Sequence, residues 1–331
     1  MSRSLFRFVL LSVASISAAS APALASPPLK LVQVIPLPEV SGRLDHMDLD
    51  PDGERLFIAA HENNSVEVVD VKAGHWLRSI AGFDRPQGVC YARGFDRLFV
   101  ANGGTGACSV LDGASLHLIR SVTYAGDADN VRFDPASGRV YVGYGNGGIG
   151  TLDARTGENR GLIPLEVHPE SFQIEPAASR LFVNLPDARE IALVNLETGR
   201  VAVDWPCGCS DNYPMALDAP GRRLFVGCRR PASVLIYDTE TGRRLESVPI
   251  DGDVDDLFFD PGLHRVYVAC GAGTVEVLGE AKSGRFHPVY RIPTGPKART
   301  ALFVPGTNRL YVAVPGGPAQ RAEVRVFETA P

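Results

Sequence analysis

Beyond its first 25 residues, this 331-residue chain has no apolar run of about 18 residues, the length a membrane-spanning helix needs. It has no excess of positive charge: 33 Lys and Arg stand against 38 Asp and Glu, a net charge of −5. Nucleic-acid binding depends on neutralising phosphates, so that partner class is disfavoured. There is no G-x-S-x-G elbow, no phosphate-binding loop and no legible nucleophile triad. The six cysteines include no Cys-x-x-Cys pair, which removes the common zinc spacing and the haem-attachment signature. One dinucleotide-like pattern, Gly143, Gly145 and Gly148, falls between two antiparallel strands and not between a strand and a helix, so it reads as a hairpin loop.

The N-terminus reads as a leader. Arg3 and Arg7 form a basic start, Phe8 to Ala21 is apolar or small, and Ala23-Leu24-Ala25 fits a small-x-small cleavage site. Residues 1–25 are therefore expected to be a signal peptide, leaving one domain over 26–331 with no membrane span and a periplasmic or secreted location. No Cys at the cleavage site points to lipidation. Losing Arg3 and Arg7 leaves 31 basic against 38 acidic residues, a net charge of −7.

What the chain does have is a repeat. An Arg followed by an aliphatic, an aromatic and a β-branched residue begins at Arg55, Arg97, Arg139, Arg180, Arg223, Arg265 and Arg309, spaced by 42, 42, 41, 43, 42 and 44 residues. A period in the low forties with short strands fits propeller blades. Before each anchor Arg comes an inner strand and a turn such as Asp50-Pro51, Asp134-Pro135, Glu175-Pro176 or Asp260-Pro261. A second, a third and a short fourth strand follow, the last exemplified by Leu77 to Ile80 and Leu245 to Val248.

Columns support the alignment. Two residues after each anchor stand Phe57, Phe99, Tyr141, Phe182, Phe225, Tyr267 and Tyr311, read as core. Eight before stand Met47, Val89, Val131, Phe172, Met215, Leu257 and Ala301, and six before stand Leu49, Tyr91, Phe133, Ile174, Leu217, Phe259 and Phe303. A spacing of two puts these columns on one sheet face, expected to pack blade against blade. The seventh unit stops after Val324-Arg325-Val326-Phe327, and Leu31 to Pro36 resembles a fourth strand with no unit before it. The prediction is an all-β, seven-bladed β-propeller with four antiparallel strands per blade. Its N-terminal strand closes the last blade and leaves fewer open edges.

Units such as Asp134-Pro135-Ala136-Ser137-Gly138-Arg139-Val140-Tyr141-Val142-Gly143 resemble the YVTN repeats of YncE-like exported bacterial propellers. The resemblance spans nearly the whole mature chain. It implies the fold and an exported location, but no particular reaction. Metal-dependent lactonases and streptogramin lyases are relatives by architecture. Blade 4 departs from the pattern, since Asn184-Leu185-Pro186 is expected to end its second strand early.

Loops from every blade converge where the inner strands begin, so a site is expected there. Ten residues before each anchor stand Asp45, Gln87, Asp129, Glu170, Tyr213, Asp255 and Arg299, polar throughout. The next position holds His46, Gly88, Asn130, Ser171, Pro214, Asp256 and Thr300. The ligand-binding set is expected to be Asp45, His46, Gln87, Asp129, Asn130, Glu170, Tyr213, Asp255 and Arg299. Carboxylates and an amide oxygen suit a divalent cation such as Ca²⁺ or Mg²⁺, with Asp129, Asn130, Glu170 and Asp255 as its candidate ligands. His46 and Glu170 are the candidate catalytic residues, His46 as a general base. His61 and His168 are expected nearby, and Arg43, Arg85, Lys297 and Arg299 around the same rim.

Cys207, Cys209 and Cys228 are also expected at the mouth, with Cys270 in the matching place of blade 6. A disulfide from Cys228 to Cys207 or Cys209 is the preferred reading in an oxidising compartment, and a thiolate metal site is the alternative. Cys90 and Cys108 read as small buried residues.

The leading functional expectation is a monomeric exported binding or scaffold protein, taking a small polar ligand or a protein partner at the mouth. By analogy with the architectural relatives, the alternative is a metal-assisted hydrolase or lyase. A single-stranded nucleic-acid binder is the third reading, opposed by the charge.

Overall fold

Seven four-stranded antiparallel sheets follow one another along the chain. The computed structural model describes residues 27–330 other than Pro51, Gly53 and Ala319; the expected signal segment lies outside the described residues. Blade 1 comprises Met47–Leu49, Arg55–Ala60, Ser65–Asp70 and His75–Ala81. Blades 2 to 6 repeat that order, and their second strands begin at Arg97, Arg139, Arg180, Arg223 and Arg265. Blade 7 takes three strands from Thr300–Val304, Arg309–Val314 and Glu323–Thr329. Its fourth is Leu29–Pro36, paired from Leu29 with Thr329 to Pro36 with Glu323. The predicted closure by the N-terminal strand is therefore present. No helix among the described residues is long and apolar enough to cross a membrane.

The second strands are buried along almost their whole length because neighbouring blades cover both faces. A short continuous apolar run is the sequence expression of such a strand. The fourth strands lie at the rim and are mostly exposed. All seven residues of the aromatic column are buried. The core is divided into seven clusters. Phe57, Val66 and Val68 of blade 1 pack with Val89, Tyr91 and Leu98 of blade 2. Ile35 and Val324 of blade 7 pack with Leu49 and Leu56 of blade 1, which closes the ring.

The anchor Arg has a structural role. Arg55 binds the turn of its own blade through Asp50 at 2.8 Å and reaches the Gly113 carbonyl of blade 2 at 2.9 Å. Arg97, Arg180, Arg223 and Arg265 likewise reach Arg155, Thr239, Glu280 and Ala330 of the following blade.

Two details differ from the sequence reading. The second strand of blade 4 runs Arg180–Leu185, the same length as its counterpart Arg55–Ala60. Pro186 lies one residue past the last ladder pair, Leu185 with Glu190, so its missing N–H costs no ladder bond. The fourth strands are also longer than expected, at His75–Ala81 and Arg244–Pro249, because pairing continues on both sides of a bulge.

Candidate functional site at the channel mouth

Each inner strand enters its blade through the polar column. Asp45 N donates to Ala59 O at 2.8 Å, Asp129 N to Gly143 O at 3.0 Å and Glu170 N to Asn184 O at 3.0 Å. These bonds extend the ladder beyond its regular pairs and fix the polar residue opposite the end of the second strand. His46 N to Gln87 O and Ser171 N to Tyr213 O tie adjacent blades at the same level.

Charges are sorted around the ring. On blades 5 to 7, Asp255 lies between two guanidinium groups, with Arg229 at 2.6 Å and Arg299 at 2.8 Å. Asp253 is 3.0 Å from Arg299 and 3.3 Å from Arg229. Arg229 also lies 4.2 Å over the Tyr213 ring. On blade 1, Arg43 approaches the fully buried Asp45 at 2.7 Å, out of hydrogen-bond alignment, so the contact is an ion pair. Burial works against the charge on Arg43, but Asp45, Asp255 and Asp129 raise its pKa further.

His46 Nδ1 lies 3.4 Å from Asp256 Oδ2, an oxygen that also accepts from Ala301 N at 2.9 Å. Burial again opposes protonation, yet Asp256, with help from Asp45 and Asp129, raises His46 to about 10. His61 is lowered, chiefly by burial and then by Arg43.

Blades 3 and 4 are different. Ligand atoms of Asp129, His168 and Glu170 all lie within 4.8 Å of one another. His168 Nε2 is 3.9 Å from Glu170 Oε1. Burial, with repulsion from Asp45, pushes Asp129 up to about 7 against the pull of His46 and Arg43. Burial, with repulsion from Asp129 and Asp255, holds Glu170 well above the carboxylate range. Asp129 Oδ1 and Asn130 Oδ1 are buried with no hydrogen-bond partner.

Of the expected residues, the structure thus groups Asp129 and Glu170 and adds His168. Asp255 does not join them, since two guanidinium groups occupy it. Gln87 turns to Asp127, donating from Nε2 at 2.8 Å. Tyr213 accepts from Asn184 Nδ2 through its carbonyl at 2.9 Å. Arg229 and Asp253 are charged neighbours of the ring that the column reading missed. A signal existed for both. Six residues after each anchor stand His61, Gly103, Gly145, Pro186, Arg229, Gly271 and Pro315, so His61 and Arg229 stand out from Gly and Pro. Twelve before stand Arg43, Arg85, Asp127, His168, Asp211, Asp253 and Lys297, all charged or ionisable.

Two cavities adjoin the ring. One of about 400 Å³ continues down the channel from His46 and Asp256, between Met47, Val89, Val131 and Met215. The other, of about 520 Å³, lies beside the mouth and is lined by Arg43, Glu62, Asp253, Lys297, Arg299 and Gln320 among others.

Cys209 is joined to Cys228, with their Cα atoms 6.3 Å apart. Cys207 is a free buried thiol whose sulfur is 3.4 Å from that of Cys209. With two of the three sulfurs bonded to each other, the thiolate metal site has no ligand set. Cys90 and Cys108 are free and share one core cluster. Burial pushes the Cys108 thiol up to about 12.

The fold and mouth define a seven-bladed β-propeller with an ionisable ring at one end of its channel. No protein-family model matches the chain, and no curated protein matches it. Similar solved structures do exist. A chain of Kuenenia stuttgartiensis hydrazine synthase is 19% identical, covers 88% of this chain and 98% of its own length, and superposes with a TM-score of 0.76. A chain of a mitotic checkpoint complex is 14% identical, covers 99% of this chain and 100% of its own, and gives a TM-score of 0.78. At these identities the likeness is one of fold.

Proposed function

We propose that this propeller is an exported binding protein that takes a small polar molecule bearing an anionic group beside the channel mouth. The observation that carries the reading is the cavity of about 520 Å³ where Arg43, Lys297 and Arg299 converge. Lys297 is exposed, so its ammonium is accessible to a ligand. Arg43 lines the same cavity beside its ion pair with Asp45, with its side chain one-third exposed. Glu62 and Asp253 in the same lining give the site a place for a donor group on the same molecule. The cavity volume lies in the range of small-molecule sites.

The YVTN-like repeats belong to this reading, as do the basic and apolar N-terminus and the periplasmic or secreted location they imply. The Cys209–Cys228 bond supports it, since such bonds persist in oxidising compartments.

The test is a thermal-shift and calorimetric screen with small carboxylates, sulfonates and phosphate esters. A binder is expected whose affinity falls in both Lys297→Met and Arg43→Met and weakens with added salt. Binding that ignores both substitutions, or no binding across the panel, would sink the small-ligand reading and turn the search to a protein partner.

A further inference from the structure

We infer that Asp129, His168 and Glu170 form a binding site for a divalent transition-metal ion of the zinc class, on the blade 3 and 4 side of the mouth. The site does not rest on the ligand reading above, which uses Arg43, Lys297 and Arg299 on the other side of the ring.

Geometry is the first ground. One nitrogen and two carboxylate oxygens, all within 4.8 Å of one another, come from the starts of two adjacent inner strands. His168 and Glu170 are two residues apart, on either side of Pro169, in the loop that leads into the inner strand of blade 4. A zinc ion about 2.0–2.2 Å from each ligand requires the three side chains to close further toward one another. The backbone of Asp129 and Glu170 is already pinned by bonds to Gly143 and Asn184.

The second ground is independent of spacing. Elsewhere in the ring the carboxylates have cations, except Asp127, which accepts from Gln87 Nε2. Asp45 has Arg43, Asp253 and Asp255 have Arg229 and Arg299, and Asp256 has His46. Among the described residues, no Lys or Arg nitrogen lies within 4.0 Å of Asp129 or Glu170. Asp129 is only 8% exposed, and its Oδ1 has no partner at all. Two neighbouring carboxylates of this kind are costly to bury unless a proton or a cation sits between them. A metal ion removes that cost and satisfies the orphaned oxygen.

The donor set selects the class. Ca²⁺ and Mg²⁺, the ions the sequence points to, take oxygen ligands. That expectation relied on Asp255 and Asn130. With Asp255 held by two guanidinium groups and His168 in its place, an imidazole joins the set and favours a borderline ion such as Zn²⁺. Three protein ligands leave a coordination position open. The side chains of His168 and Glu170 are 23% and 21% exposed, so that position faces the solvent-filled mouth.

The experiment uses protein dialysed against a chelator and then titrated with Zn²⁺ by calorimetry, and with Co²⁺ by visible absorption. The expected result is one ion per chain. Glu170→Gln, His168→Ala and Asp129→Asn should each weaken it by more than the roughly 10- to 100-fold that losing an outer hydrogen-bond partner costs. Glu197→Gln, on the exposed turn between the third and fourth strands of blade 4, should leave it unchanged. Near-UV circular dichroism checks that each variant is folded. The partly exposed His168 offers the variant least disturbing to the core, and loss of its nitrogen should change the Co²⁺ spectrum. No uptake by the wild type overturns the inference, and so does uptake that survives His168→Ala and Glu170→Gln.

Discussion

Arg55 of blade 1 donates from Nη1 to the carbonyl of Gly113 in blade 2 at 2.9 Å. The residue that makes the repeat visible in the sequence is therefore also a fastening between blades. It emerges from the start of the second strand, grips its own turn through Asp50 and crosses to the next blade's outer turn. Such a charge-assisted bond stabilises by about 1–2 kcal/mol when part-exposed. Arg55→Met and Arg180→Met should each lower the urea unfolding free energy by about that amount. Arg139 is exposed and makes no such bond among the described residues. Arg139→Met should cost less than about 0.5 kcal/mol, as surface changes do. Equal losses at all three positions would show that the crossing bond is not what the Arg contributes.

The Cys209–Cys228 bond closes a segment of sequence separation 19 in blade 5. Shortening the unfolded ensemble by a loop of that size stabilises by about 3 kcal/mol. The double variant Cys209→Ala/Cys228→Ala avoids new pairing with the adjacent Cys207. It should unfold several degrees lower than the wild type in a thermal scan. Reductant should lower the wild type and leave the variant unmoved. A wild type insensitive to reductant would mean that the bond is absent in solution.

The fold was legible because every blade solves the same local problem with the same residue types. The aromatic two residues after the anchor and the apolar residue eight before it each perform one job seven times, and the anchor Arg crosses to the next blade in five of the seven. The site was legible only as a ring. Which carboxylate has a cation is decided between blades: Arg229 of blade 5 reaches Asp255 of blade 6, and Arg299 of blade 7 reaches back to it. A column compares like positions within units and carries no information on contacts between unlike positions in neighbouring units. His168 was expected near the ring, as were Arg43, Arg85 and Lys297 of the same column twelve before the anchor, but its grouping with Asp129 of the neighbouring blade was not legible. The choice of Cys209 over Cys207 is of the same kind, set by where the bend before the inner strand of blade 5 turns each sulfur.

His46 gives a pH dependence with a definite sign. Its folded-state pKa is raised from the ordinary 6.5 to about 10, because Asp256, Asp45 and Asp129 outweigh its burial. A raised pKa means that the folded state holds a proton the unfolded chain has released. The resulting stabilisation is fully present below 6.5 and is lost as the pH climbs through about 10. Over that window the unfolding free energy should fall by an amount on the order of 5 kcal/mol beyond the fall seen in His46→Gln. Denaturant titrations across the window, compared between the two proteins, read the difference directly. Parallel curves would mean that Asp256 does not hold a charged imidazole.

Gly88 tests whether the metal-side geometry is set by the backbone. It occupies the same column as His46 and Asn130, but a Cβ there would lie 2.0 Å from the Asp129 carbonyl oxygen and 3.0 Å from Val131 Cγ2. The absence of a side chain is what lets the inner strand of blade 3 begin so close to blade 2. In Gly88→Ala the obstructing atom is backbone, so it cannot swing aside, and the Asp129 segment must move. Overpacking of this kind costs about 1–3 kcal/mol. Gly252 has no heavy atom within 4 Å of its Cβ position, so Gly252→Ala is the matched control and should be near neutral. If Gly88→Ala proves equally neutral, the approach of the two inner strands is loose, and the position of Asp129 is set by its own side chain and not by the blade beside it.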